Sequence, residues 1–255
     1  MKHYNSIPYN IKMTTALCLY GHFRCFDDCW NDLNEYLIKP NNISHVFAQA
    51  WVDSMGYFQH PESAPNPLSH PGYDLDSNTV NGAWLQQTLA KLNPTQVHLD
   101  NYHLHDDRFS KMVEDLKPFH HPSPSHRPKG TLSQVWARSA SLSLAQAYQE
   151  HIGFSFDRIV CTRYDIGYQH VVDLDTLDPD IISLDGMYGP DVISDAWASG
   201  PNSAMSKWSQ QFSAINALVA NQTMNIGPHE WLRAHFDNLQ IPWINRPDVG
   251  VWIKR

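Results

Sequence analysis

A chain of 255 residues that is 42% hydrophobic and 17% charged holds enough apolar material for a full core and lies far from the disordered regime. Its formal net charge of −8 excludes broad binding to nucleic acid or to anionic membrane surfaces, which needs a cationic face. The 9 Trp and 11 Tyr suit both a packed core and a surface on which sugars or bases stack.

Residues 1–12 read as a polar leader and 13–255 as a single domain. Thr14 to Tyr20 is apolar on both faces, as a strand inside a parallel sheet is. Gly21-His22-Phe23-Arg24 follows as a turn. Phe26, Cys29, Trp30, Leu33 and Leu37 then recur at helical spacing until Pro40 stops them. His45 to Trp51 reads as a second strand ending in Val52-Asp53. The stretch 56–76, rich in Pro, Gly, His and Ser, has no period and is expected to be a long loop. Val80, Trp84, Leu85, Thr88, Leu89 and Leu92 predict a helix, Gln96 to Leu99 a short strand, and Phe109 to Leu116 another helix.

A second irregular stretch, 120–130, carries three histidines without a regular ligand spacing, together with Arg127 and Lys129, two cations able to fold over a phosphate. Thr131 is the expected N-cap of a helix running to about His151. Ile159 to Thr162 reads as a buried central strand that delivers Arg163 and Asp165 at its C-terminal end, and Ile181 to Leu184 as one more strand. The segment Asp195 to Gly200 leads into a helix carrying Met205, Trp208, Phe212, Ile215 and Val219. Pro228 opens the last helix, and Val249 to Ile253 is a terminal strand. Strands alternating with helices predict an α/β fold with a mainly parallel sheet flanked by helices.

The four cysteines, Cys18, Cys25, Cys29 and Cys161, form no C-x-x-C pair, so free thiols in a reducing compartment are expected. The apolar run from Thr15 to Tyr20 is too short for a bilayer span or a signal sequence, and no later run approaches about 18 residues. The expectation is a cytoplasmic protein without an integral membrane segment.

No G-x-x-x-x-G-K-[ST], G-x-G-x-x-G, G-x-S-x-G or H-E-x-x-H is present, which argues against P-loop, dinucleotide-binding, serine hydrolase and metalloprotease chemistry. Polar residues at the predicted strand ends remain: Gly21, His22 and Arg24, then Asp53, then Arg163 and Asp165. A pocket for a nucleotide-sugar diphosphate needs a glycine that lets the backbone approach, cations for the phosphates, and a carboxylate for a divalent ion or a sugar hydroxyl. D-x-D occurs three times, at Asp74-Leu75-Asp76, Asp173-Leu174-Asp175 and Asp178-Pro179-Asp180, so that pattern selects nothing. Asp165 is the better possible metal ligand because it follows a buried strand directly. Asp195 and Glu230 are the candidates for acid/base work, since an inverting transfer needs a carboxylate to take the acceptor's proton.

The ordered elements Leu19-Tyr20-Gly21-His22-Phe23-Arg24, His45 to Asp53, Phe156 to Ile166, Asp195 to Gly200 and Pro228-His229-Glu230-Trp231-Leu232 resemble those of small bacterial and viral glycosyltransferase-like proteins. Those carry patterns of the type S-G-Q-x-R, D-V-F-x-x-T-W-D, Y-D-x-V-x-R-x-R-x-D, D-x-F-x-x-G and P-E-x-x-L. The resemblance spans nearly the whole chain and implies a GT-A-like (Rossmann-like) fold moving a sugar from a nucleotide-diphospho-sugar to a hydroxyl of a glycan acceptor. It implies that Gly21, His22, Arg24 and Asp53 serve the nucleotide. Arg163 and Asp165 would serve the diphosphate or a Mn²⁺ or Mg²⁺ ion, and Asp195 and Glu230 the acceptor. His22, Tyr164 and Ala196-Trp197 depart from the pattern. They motivate one alternative, an inactive sugar- or nucleotide-binding scaffold of the same fold; a nucleotidyl or sulfo transferase is a further alternative.

Overall fold

A computed structural model describes residues 13–23, 26–52, 73–74, 79–80, 82–116, 128–189, 192–220 and 228–254. The fold is α/β, built on a seven-stranded sheet. The apolar run near the start forms β1 (Thr15–His22), and the next one β2 (His45–Trp51). Between them lies α1 (Phe26–Asp32), which widens into π turns over Leu33–Ile38, where Lys39 N bonds Asn34 O. A two-residue pair, β3 (Tyr73–Asp74) with β4 (Thr79–Val80), precedes α2 (Gly82–Leu92), β5 (Gln96–Asp100), α3 (Asp106–Leu116) and the long α4 (Pro128–Ile152). The second half holds β6 (Arg158–Arg163), β7 (Ile166–Tyr168), β8 (Ile182–Leu184), β9 (Trp197–Pro201), α5 (Asn202–Ser209), α6 (Gln211–Ala220), α7 (Pro228–Asn238), β10 (Trp243–Asn245) and β11 (Val251–Ile253).

The strand order is β10-β8-β9-β6-β1-β2-β5. β1 lies parallel between β2 and β6, with Cys18 opposite both Phe47 and Cys161. β9 alone runs against its neighbours, antiparallel to β6 and to β8. The C-terminal ends of β1, β2, β5, β6 and β8 therefore open on one edge, where α/β folds bind ligands.

Side chains alternate between the two faces of a strand, and β1 divides the core in that way. Ala16, Cys18 and Tyr20 join Leu132, Val135, Leu142 and Ala145 of α4 in one apolar layer. Leu17 and Leu19 join Phe26, Leu33, Leu37 and Trp84 in the other. Each fully buried Leu or Val contributes about 1.5–3 kcal/mol, so these two layers hold the helices to the sheet. The N-terminal turns of α4 lie toward the ligand edge, because the helix runs back to feed the start of β6.

Several elements differ from the sequence reading. The segment Trp197 to Gly200, expected only to lead into a helix, is the antiparallel strand β9. Its small residues conceal it, yet they are needed: a Cβ on Gly200 would stand 2.8 Å from Ile182 Cγ1 on β8. Thr131 is not the N-cap, because α4 begins three residues earlier at Pro128, whose fixed φ and missing N–H suit a first helical position. The stripe from Met205 to Ile215 is buried as expected, but Gln210 N bonds Lys207 O at 3.2 Å and divides it into α5 and α6. Val80 belongs to β4, not to a helix. Val249 ends a 3₁₀ turn, Gly250 follows at φ 64°, and β11 pairs antiparallel with β7 outside the main sheet. β10 was not anticipated; three residues carry too little pattern.

Cys18, Cys29 and Cys161 are buried, Cys18 and Cys161 as free thiols, whereas Cys25 lies outside the described residues. The leader 1–12 and most of the stretches 56–76 and 120–130 lie outside them as well. Among the described residues, no helix is long and apolar enough to cross a membrane.

Candidate functional site at the C-terminal edge of the sheet

The end of β1 supplies the first parts. Gly21 has φ +104°, a conformation open to glycine and strained for other residues, and among the described residues no heavy atom lies within 4 Å of where a Cβ would stand. Gly21 N donates to Gln49 Oε1 at 3.3 Å. Gln49 is wholly buried, and its Nε2 has no hydrogen-bond partner among the described residues. The His22 ring stands 6.5 Å from that of Trp51, centroid to centroid. Arg24, Asp53 and Arg127 lie outside the described residues. Lys129, the other cation anticipated near a phosphate, is paired with Asp106 of α3 at 2.8 Å.

At the end of β6, Arg163 Nε donates to Asp165 Oδ1 at 2.8 Å and Nη2 to Oδ2 at 2.6 Å. Two residues after the strand is far enough for the chain to turn and present its carboxylate to the guanidinium fork. Burial alone would lower the Arg163 pKa, but the Asp165 carboxylate outweighs it and holds the guanidinium above its ordinary range. A divalent ion does not fit Asp165 in this arrangement, since both carboxylate oxygens already accept from Arg163. Among the described residues no group of three metal-ligating side chains converges either.

Asp195 sits against this turn: Arg163 N donates to Ala196 O at 3.2 Å. Its carboxylate is almost fully buried, and Oδ2 accepts from Gln134 Nε2 at 2.8 Å and from Arg138 Nη1 at 3.3 Å. Oδ1 accepts from no described residue. Arg138, 1% exposed, donates through Nη2 to Gln211 Oε1 at 2.5 Å and lies 4.8 Å from the Trp208 ring centroid. The backbone around Asp195 is fixed from three further elements. The Tyr20 hydroxyl of β1 donates to Asp195 O. Asp185, just past β8, accepts from Ser194 Oγ at 2.6 Å and from Trp197 N at 3.0 Å. His229 Nδ1 of α7 meets Ile193 O at 2.6 Å. That last contact ties the turn bearing Glu230 to the Asp195 segment; Glu230 itself is exposed in the first turn of α7, where the helix dipole favours an acid.

Gly21, Asp195, Arg163 and Asp165 are thus gathered around β1 and β6. Cys18 and Cys161 are poorly suited to act as nucleophiles there, because burial pushes the Cys161 thiol up to about 12 and the Cys18 thiol up as well.

Sequence reasoning missed Gln49, Gln134, Arg138 and Asp185. Asp185 carries the same signal as Asp165, a carboxylate directly after a buried strand. Arg138 carries a signal too: a cation flanked by the apolar positions Val135, Ala137, Leu142 and Ala145 of one helix.

Burial pushes the Asp185 carboxyl above the usual carboxylate range, the Asp195 charge adds to this, and the bonds from Ser194, Met187 N and Trp197 N oppose it. The folded state therefore binds the proton more tightly than the unfolded chain. The stability this group contributes is fully present below the unfolded aspartate pKa of about 3.9 and is lost as pH rises through the raised folded value. Asp185→Asn is expected to flatten that acid-side dependence in urea melts. An unaltered slope would assign it to another group.

No family model matches the chain, and no curated protein matches it.

Proposed function

We propose that this protein is a glycosyltransferase of GT-A-like fold that moves a sugar from a nucleotide-diphospho-sugar to a hydroxyl of a glycan. The observation that carries the proposal is the Asp195 carboxylate. One of its oxygens is clamped by two donors, the other accepts from no described residue, and the next residue is bonded to the arginine that ends the central strand. A general base needs this division of labour, one oxygen fixing the geometry and the other receiving the proton.

In the proposed reaction the acceptor O–H gives its proton to Asp195 Oδ1, and its oxygen forms a bond to the anomeric carbon. The bond from that carbon to the diphosphate breaks, and its electron pair leaves with the phosphate. Arg163, with Arg24, would neutralise the charge that gathers there, the largest electrostatic demand of the step. Gly21, His22 and Asp53 are assigned to the nucleotide, and Glu230 to the acceptor side. No step is routed through a divalent ion; Mn²⁺ or Mg²⁺ on Asp165 would first require Arg163 to let go.

The test is incubation with UDP-, GDP-, CMP- and dTDP-sugars, with glycan or water as acceptor. Release of the nucleoside diphosphate, or of CMP from a CMP-sugar, is expected. Release of pyrophosphate would point to nucleotidyl transfer instead. A second reading, a sugar- or nucleotide-binding protein without catalysis, is favoured by one fact: Arg163 and Asp195 already have internal partners of opposite charge. Binding without any turnover would establish that reading.

A further inference from the structure

The Asp195 carboxylate is held by α4, a helix that no sequence motif attached to the site. Gln134 and Arg138 are four residues apart, so they stand one above the other on a single face of the helix. Both reach Oδ2 and neither reaches Oδ1. Arg138 is in turn immobilised by Gln211 Oε1, which also accepts from Trp208 Nε1 at 3.1 Å, and by the faces of Trp208 and Tyr20, at 4.8 and 5.9 Å from its guanidinium carbon. Arg138 is buried like the apolar core residues, at 1% exposure, and its Nε has no hydrogen-bond partner among the described residues. A cation needed only for packing is a costly choice in that position, because a well-packed apolar residue of similar volume is often neutral or stabilising by comparison.

We infer that Gln134 and Arg138 are positioning residues for the transfer, fixing the orientation of the Asp195 carboxylate with Oδ1 turned to the acceptor hydroxyl. The inference rests on the transferase reading. Three features favour positioning over simple internal neutralisation. The clamp is one-sided, although the carboxylate has two oxygens and Gln134 could have bridged the other. The backbone on both sides of Asp195 is separately fixed by Tyr20, Asp185 and His229, so the clamp is not required to hold the loop. The other charged and titratable groups around it, Arg163, Tyr20, Asp185 and Cys161, make no side-chain hydrogen bond to the carboxylate. Its charge is therefore countered through a hydrogen bond by Arg138 alone among the described residues.

The experiment measures kcat and donor KM for nucleotide release, with whichever of the UDP-, GDP-, CMP- or dTDP-sugars the wild-type protein turns over. The variants are Gln134→Met, Arg138→Lys, Arg138→Met and Asp195→Asn. Gln134→Met is expected to lower kcat by roughly 10- to 100-fold with donor KM within about twofold, the size of effect a small misplacement of a reacting group has. Arg138→Met is expected to lower kcat by a similar factor with donor KM held, because the donor that fixes Oδ2 is gone, and Arg138→Lys should restore part of the loss. Adding Gln134→Met to Asp195→Asn should cost less than twofold more, since residues that act as one unit are not additive. Should Arg138→Met fail to fold, Gln134→Met and Arg138→Lys still decide the matter. A fall in melting temperature with kcat unchanged in Gln134→Met would overturn the inference and leave the transferase reading standing. Absence of turnover by the wild-type protein would overturn that reading, and the inference with it.

Discussion

Asp195→Asn is expected to lower turnover by about 100- to 10,000-fold, the range lost when a positioned general base is removed, while donor affinity changes little. The substitution preserves shape, so the amide oxygen can still accept from Gln134 and Arg138. What it removes is the capacity of the second atom to take a proton. Because Arg138 would then face a neutral amide in an almost fully buried site, some stability is lost too, and folding must be followed alongside activity. A single-turnover assay at saturating donor, with binding measured separately, checks the expectation. Turnover within about tenfold of wild type would remove Asp195 from the catalytic role and shift attention to Glu230, which is exposed in the first turn of α7.

The second large effect belongs to the pair at the end of β6. Asp165 is 2% exposed and Arg163 15% by side chain, and two hydrogen bonds join them. Asp165→Ala leaves the guanidinium uncompensated in a mostly buried site, where breaking one partner of such a pair costs about 3–5 kcal/mol. Asp165 also anchors the chain's last strand, since its carbonyl accepts from Lys254 N at 2.8 Å; a side-chain substitution spares that bond. The loss should appear as a lowered urea midpoint without a change of slope. Turnover or donor affinity should fall more than tenfold, because the freed Arg163 is no longer held in one orientation for a diphosphate. Stability lowered as expected with activity near wild type would confine the pair to a structural role.

The α/β class and the parallel core were legible in the sequence because β1, β2 and β6 are continuous apolar runs, and runs of that kind belong to strands covered on both faces. β9 was hidden for the opposite reason. Trp-Ala-Ser-Gly-Pro has no alternation and little bulk, and its place in the sheet is set by the tight approach of Ile182 to Gly200, a contact distant in sequence. The same distinction separates the site residues that were found from those that were missed. Asp165 and Arg163 announce themselves by following a buried strand. Gln134, Arg138 and Gln49 sit inside elements whose periodicity marks them as core, and their role follows from what they face across the fold, which no local pattern contains. Asp195 was picked out by its neighbourhood of small and aromatic residues, but its arginine partner lies 57 positions earlier. The 56–76 stretch and Arg24, Asp53 and Arg127 stay at the level of sequence, outside the described residues.

The most direct test of the central claim is a thermal-shift measurement on the wild-type protein with UDP-, GDP-, CMP- and dTDP-sugars. A ligand present at about 100 times its dissociation constant adds about 2.7 kcal/mol to the folded state, which raises the melting temperature visibly. A nucleotide-sugar transferase should respond to one nucleotide class above the rest, and the response should weaken in Asp165→Ala. A melting temperature unmoved by every donor in the panel would contradict the assignment of this sheet edge to a nucleotide-sugar.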